Sequence, residues 1–110
     1  MIQIATTVPR FAPGDLVVHQ RYRYRGVVVA VDEHCRADSS WYLKNRTQPD
    51  QSQPWYHVLV HGGGQTTYAA QSSLATDSSG EPIDHPLVEE FFTEFVGSKY
   101  RRNDRPWPGW

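Results

Sequence analysis

The chain has little of several things, and each shortage removes a class of protein. It holds one cysteine, Cys35, and one methionine among 110 residues. A lone cysteine cannot close an internal disulfide, so the fold must be held by its own core. No apolar run approaches the ~18 residues that a membrane-spanning helix needs. Met1 to Arg10 carries no charged-then-apolar leader, so the expected location is cytoplasmic. Neither sign of charge dominates: 11 Lys and Arg stand against 12 Asp and Glu, a formal charge of −1. Binding to nucleic acid must then come from a local patch and not from a basic surface as a whole. A chain of this length is expected to be one domain, with enough buried surface for a single core.

What is plentiful is aromatic area. Four Trp, six Tyr and four Phe stand mostly in or beside stretches that read as strands. The chain is organised around Gln53-Pro54-Trp55-Tyr56-His57-Val58-Leu59-Val60. Pro54 suits the first residue of a strand, and Gly62-Gly63-Gly64 closes the far end with a turn. Alternation sets Trp55, His57 and Leu59 on one side and Tyr56, Val58 and Val60 on the other. Bulk on both faces predicts an interior strand. Gly26-Val27-Val28-Val29-Ala30-Val31-Asp32 is β-branched and too short for a typical helix, which predicts a second strand. Leu16-Val17-Val18-His19 follows a turn at Ala12 to Asp15 and reads as a third, with Leu16 and Val18 facing inward. Gln65 to Ala70 resumes alternation as a hairpin partner, and Leu74 anchors the exit.

Between these lies a polar stretch from Cys35 to Gln53, interrupted by Trp41-Tyr42-Leu43. It reads as a long loop that folds back onto the strands. Beyond Asp77 to Pro82 the apolar period becomes helical. Asp84 or His85 is placed to cap, Pro86 suits the first position, and Gly97 supplies the stop. Leu87, Val88, Phe91, Phe92, Phe95 and Val96 would form the buried stripe. The architecture predicted is mainly β: a small SH3-like antiparallel barrel of about five strands with one C-terminal helix across an opening. The divisions are a flexible arm at 1–10, the barrel at 11–76, a linker and helix packed on it at 77–98, and a basic Pro/Trp tail at 99–110.

The densest positive charge is Arg21, Arg23 and Arg25, alternating with Tyr22 and Tyr24. Extended, that segment would set guanidinium groups about 6.6 Å apart on one face, close to phosphate spacing. A second candidate surface is the tail, where Arg101, Arg102, Trp107 and Trp110 are residue types enriched at protein interfaces. Catalytic and metal chemistry find little support. His57 and His61 would stand about 13 Å apart on one strand, too far to share a zinc, and Cys35 has no second thiol at ligand spacing. The expectation is no enzyme, no metal and no cofactor, with His57 a structural histidine inside an aromatic strand.

Four pieces in order, Phe11-x-x-Gly14-x-Leu16-Val17-x-His19, Tyr24-Arg25-Gly26-Val27-Val28-x-x-Val31-Asp32, the Pro54-Trp55-Tyr56-His57 block, and Thr67-Tyr68 with Leu74, resemble the hemimethylated-DNA-binding, YccV-like family, which includes the heat-shock protein HspQ. The resemblance runs from Phe11 to about Leu74. It implies an SH3-like barrel without catalysis and binding of DNA methylated on one strand; the residues expected to contact DNA are Arg21, Arg23, Tyr24 and Arg25. In some members it implies a role as a stress-response adaptor for an ATP-dependent protease. Ala30 and Gln71-Ser72-Ser73 stand where the family pattern is acidic, so an acidic partner-binding role does not carry over. Oligomeric state is left open.

Overall fold

The computed structural model describes residues 8–109. The β-branched run forms β2, Arg25–Asp32, and the aromatic run forms β3, Trp55–Val60. With β1 (Leu16–His19), β4 (Thr66–Ala70) and β5 (Leu74–Thr76) they make one antiparallel sheet in the order β4-β3-β2-β1-β5. β3 is an interior strand, as its two bulky faces predict: β2 and β4 flank it, and all six of its residues are buried.

The sheet departs from the expected barrel in one respect: it does not close. β4 and β5 are its two edges, although only the single 3₁₀ turn Gln71–Ser73 separates them in the chain. All three residues of β5 pair with β1. That turn is tied inward instead, because Gln71 accepts from the Arg10 amide (2.8 Å) and from the Tyr56 hydroxyl (2.5 Å) through Oε1.

Both faces of the sheet are covered, which is why alternation inside it does not divide buried from exposed. One face packs Val17, Val28, Tyr56, Val58, Ala69 and Leu74 with Phe11. The opposite face packs Leu16, Val27, Val29 and Leu59 against Ile83, Phe91 and Phe92. Val17, read as facing away from the core, is fully buried. A register shift between Val28 and Ala30 lets Val29 and Ala30 lie on the same side, as a β-bulge requires. Trp55 belongs to a third cluster, with Tyr68, Ala70 and Cys35.

The stretch read as a loop from Cys35 to Gln53 contains a short helix, α1, Ser39–Lys44, whose first turn is capped by Asp38 accepting from the Trp41 amide at 2.9 Å. Trp41 and Tyr42 then reach back to Trp55, with ring centroids 6.1 and 6.4 Å away.

The expected C-terminal helix shrinks to one turn, α2, Val88–Phe91. The rest of the stripe is a hairpin, β6 (Phe92–Val96) and β7 (Lys99–Arg102). Gly97 and Ser98 both have φ near +62°, and Val96 pairs with Lys99 across them. Two successive left-handed residues make the tight turn whose twist suits a hairpin. Gly97 thus joins two strands; it does not end a helix. Phe92, Phe95 and Tyr100 keep the apolar cover that a helix would have supplied, with Tyr100 5.3 Å from Phe92 and 4.6 Å from Phe95 between ring centroids. The hairpin is fastened to the sheet where the Tyr100 amide donates to the Gly14 carbonyl at 3.0 Å.

Candidate nucleic-acid interface

The link between β1 and β2 is a tight turn and not an extended segment. His19 organises it: its Nδ1 accepts from the amides of Arg21 (3.1 Å) and Tyr22 (3.0 Å), and its own amide donates to the Tyr24 carbonyl. Arg23 takes a left-handed conformation, φ 64°, which ends any regular alternation. The expected row of three arginines therefore does not form. Arg21 and Arg23 project from the turn into solvent. Arg25 is committed elsewhere: its Nε donates to Asp77 at 2.7 Å and its guanidinium to the Glu81 carbonyl at 2.5 Å. Burial would raise the Asp77 carboxyl, but hydrogen bonds from Arg25 and Ser79 outweigh it and hold the group below its ordinary value. Tyr24 turns inward, partly buried, its hydroxyl 2.8 Å from Thr67 Oγ1. Desolvation raises its pKa, partly opposed by that hydrogen bond.

Beside this turn lies a cleft of about 390 Å³. Its walls include Tyr22, Tyr24, Trp41, Trp55, Tyr68 and Trp107, drawn from the first turn, α1, β3, β4 and the tail. The rings support one another: Trp41 meets Tyr68 at 5.7 Å, and Trp55 meets Tyr68 at 5.2 Å. A shallow recess carrying Arg21 adjoins the cleft and shares His19, Thr47 and Pro49 with it. On the other side of His57 and Trp107 a polar cleft of about 700 Å³ is lined by Asp32, Arg36, Arg102 and Arg105.

Asp32, His57 and Tyr68 form a hydrogen-bonded group between the two clefts. The Tyr68 hydroxyl donates to Asp32 Oδ2 at 2.6 Å, and His57 Nε2 lies 3.3 Å from the same oxygen. Desolvation and the bond to Asp32 push the Tyr68 hydroxyl well above its ordinary value. The His57 and Tyr68 rings meet at a tilt of 35°, centroids 4.5 Å apart. Among the described residues no group of three or more His, Cys, Asp and Glu is placed to hold a metal ion.

His19 and His57 are both held below the ordinary histidine value of 6.5, by burial first; Arg21 adds to this at His19, and Asp32 partly opposes it at His57. The unfolded chain takes up these protons near pH 6.5 while the folded chain resists them. Their contribution to stability is therefore full above about pH 6.5 and is lost as pH falls toward the lower folded values. Thermal unfolding followed by circular dichroism should show a lower midpoint at pH 5.5 than at pH 7.5, and His57→Gln should narrow that gap. A midpoint that is equal or higher at pH 5.5 would contradict the placement of both rings.

The tail folds back. Arg101 pairs with Glu94 on the hairpin. Arg102 Nε donates to the Val29 carbonyl at 2.9 Å, and its guanidinium sits 4.9 Å from the centroid of Phe91. Trp107 packs edge-on to Phe91 at 5.3 Å and lies 5.8 Å from His57. Trp110 lies outside the described residues. Of the residues that sequence reasoning passed over, Trp41 and Tyr68 had a visible signal, an apolar island in a polar loop and a Thr-Tyr pair. Asp77, as partner of Arg25, had none.

A small antiparallel β-sheet with arginines on an exposed turn beside an aromatic cleft has the form of a ligand-binding domain. The family model described as hemimethylated DNA-binding protein YccV like matches residues 9–99, and the chain belongs to that family. The match extends well beyond Leu74 and takes in the hairpin up to Lys99. The chain is also 32% identical over 96 residues to F-box only protein 21 of Homo sapiens and of Mus musculus, an alignment covering 84% of this chain. It spans only 15% of the length of those curated relatives.

Proposed function

We propose that this chain is a non-enzymatic DNA-binding domain that prefers duplexes methylated on one strand, with Arg21 and Arg23 as its phosphate contacts. The observation that carries the reading is the family match over residues 9–99. The surface supports it. Neither Arg21 nor Arg23 has a carboxylate partner among the described residues, and Arg21 lines the recess that adjoins the aromatic cleft. With a formal charge of −1 on the whole chain, a local pair of this kind is where phosphate affinity must arise.

Methyl discrimination needs more than contact. Burying one methyl group contributes about 0.8 kcal/mol, a preference of roughly fourfold. A larger ratio requires a clash with the second methyl group of a fully methylated duplex, or a response to altered DNA shape.

The Arg21→Ala/Arg23→Ala double variant should weaken binding to every duplex and reduce the slope of log K against log salt by up to about 1.8, or 0.9 for each lost phosphate contact. Its methylation preference should persist. Arg25→Ala should instead leave the slope unchanged and lower stability, because it strips Asp77 of its partner. A double variant with the wild-type salt slope would remove the turn from the interface.

A protein-interaction role, as a heat-shock-related adaptor for an ATP-dependent protease, is the second reading. Its support is that a similar segment forms a small part of the much longer F-box only protein 21. In that role the arginine variants should leave partner binding intact. In the tail, Arg102 and Trp107 are engaged with the sheet and its cover, and Arg101 pairs with Glu94.

A further inference from the structure

We propose that the polar cleft beyond His57 and Trp107 is a second contact for the DNA backbone, in which Arg36 and Arg105 receive phosphate over the partly buried charge of Arg102. The inference rests on the DNA-binding reading and adds to it a site that the first turn does not supply.

The cleft carries a cation without a counter-ion. Arg102 is partly buried, and every acceptor it reaches among the described residues is neutral. Its Nε donates to the Val29 carbonyl at 2.9 Å. Its Nη1 donates to the Asn103 carbonyl (3.1 Å) and side-chain oxygen (2.9 Å), and more weakly to the Phe91 carbonyl (3.5 Å). Among the described residues no carboxylate lies within ion-pair distance of it. Desolvation holds its pKa below the ordinary arginine value, which is the cost of a charge that nothing in the fold neutralises. The third nitrogen, Nη2, has no acceptor among the described residues, yet it is not sealed from solvent. A guanidinium anchored through two nitrogens, with the third unpaired, is preset to take an anion.

Two further guanidinium groups line the same cleft. Arg36 and Arg105 are exposed, and each is placed through its backbone: the Arg36 amide donates to the Tyr68 hydroxyl at 3.0 Å, and the Arg105 amide to Asn103 Oδ1 at 3.0 Å. That Oδ1 also accepts from Arg102, and Asn103 Nδ2 donates to the Glu90 carbonyl at 2.8 Å, so one side chain sets Arg105 beside Arg102. Neither the Arg36 nor the Arg105 guanidinium has a carboxylate partner among the described residues. Asp32 and Asp104 line the cleft as well. Asp32 Oδ2 is met by the Tyr68 hydroxyl and His57, and Asp104 pairs with none of the three arginines. Three cations against two carboxylates, with no ion pair between them, leave the cleft net positive. A phosphate accepts from several guanidinium groups at once and supplies the missing charge.

Position ties this cleft to the first turn. The recess carrying Arg21 shares His19, Thr47 and Pro49 with the aromatic cleft, which in turn shares His57, Trp107 and Gly109 with the polar one. A duplex that meets Arg21 is therefore held at two separate points along its backbone once it also meets Arg36 and Arg105. Arg102 and Arg105 lie beyond residues 9–99, so the second contact is built partly from chain outside the family match.

The test is the salt dependence of binding between the full-length chain and one hemimethylated duplex. Arg36→Ala/Arg105→Ala should reduce the slope of log K against log salt by about 0.9 if the two arginines share a phosphate, and by about 1.8 if each holds its own. Combined with Arg21→Ala/Arg23→Ala, the loss should rise to as much as about 3.6. Arg36→Lys/Arg105→Lys keeps both charges and should restore most of the slope. Melting midpoints of these proteins should match the wild type, because neither guanidinium bonds to the described fold; Arg102, which holds the Val29 carbonyl, is left in place. A wild-type slope in the Arg36→Ala/Arg105→Ala protein, or a lysine protein that loses as much slope as the alanine one, would overturn the second contact. A lowered slope in Arg21→Ala/Arg23→Ala would then leave the DNA-binding reading standing. No binding of the wild type to the duplex at low salt would overturn both.

Discussion

Val58→Asp should abolish the cooperative fold. Val58 is completely buried on the interior strand β3, between Val28 on β2 and Thr67 on β4. The backbone crowds it as well: a Cβ on Gly26 would stand 2.4 Å from its Cγ1. A carboxylate there has no partner and no water. Burying an unpaired charge carries a penalty that the group escapes only by staying protonated, and even the neutral acid loses its hydrogen bonds to solvent. Against a total stability of about 5–15 kcal/mol for a domain, that is enough to leave the chain unfolded at neutral pH. Val58→Ala removes volume without charge and should remain folded with a lower midpoint. The measurement is a melt by circular dichroism; a Val58→Asp protein with a wild-type cooperative transition would contradict the packing described.

The second large effect is expected at Gly14, where the N-terminal turn meets the hairpin. Its φ is 101°, and an added Cβ would stand 2.0 Å from the Tyr100 carbonyl oxygen. The clash is with backbone, so no rotamer relieves it. The same residue donates to the Val28 carbonyl (2.8 Å) and accepts from the Tyr100 amide (3.0 Å), which makes it the staple between sheet and cover. Gly14→Ala should lower stability by about 3–5 kcal/mol, part from strained backbone and part from the lifting of β7. Gly62→Ala isolates the first part, since Gly62 has φ 95° but nothing within 4 Å of its missing Cβ. Urea unfolding of the pair separates the terms: equal losses at both positions would mean that Gly14 is not a point of contact.

These two residues also mark where sequence reasoning succeeds and where it stops. β2 and β3 are legible because β-branched and aromatic residues leave little choice but strand, and because bulk on both faces of β3 allows only an interior place. The interval from Leu87 to Val96 is ambiguous in principle. Its apolar residues satisfy a helical stripe, and Phe92 to Val96 is equally rich in strand formers. What settles it is the Gly97-Ser98 turn and a partner strand three residues on, and a glycine after an apolar stripe reads equally well as a helix stop.

The candidate interface shows the same limit at longer range. The charge cluster at Arg21 to Arg25 is visible locally, but the commitment of Arg25 to Asp77 bridges 52 residues. The left-handed Arg23 that breaks the row is set by the turn built on His19. The cleft is assembled from segments that no local period connects. Only its family resemblance, carried by the blocks at Phe11, Tyr24, Pro54 and Thr67, reached across the chain, and the family match over residues 9–99 bears it out.

The most direct measurement is an equilibrium titration of the wild-type chain with one short duplex in unmethylated, hemimethylated and fully methylated form, at two salt concentrations. Binding to all three should strengthen as salt is lowered, with the hemimethylated duplex bound most tightly at both concentrations. No measurable affinity for any duplex at the lower salt, where two exposed arginines have their greatest effect, would contradict the account.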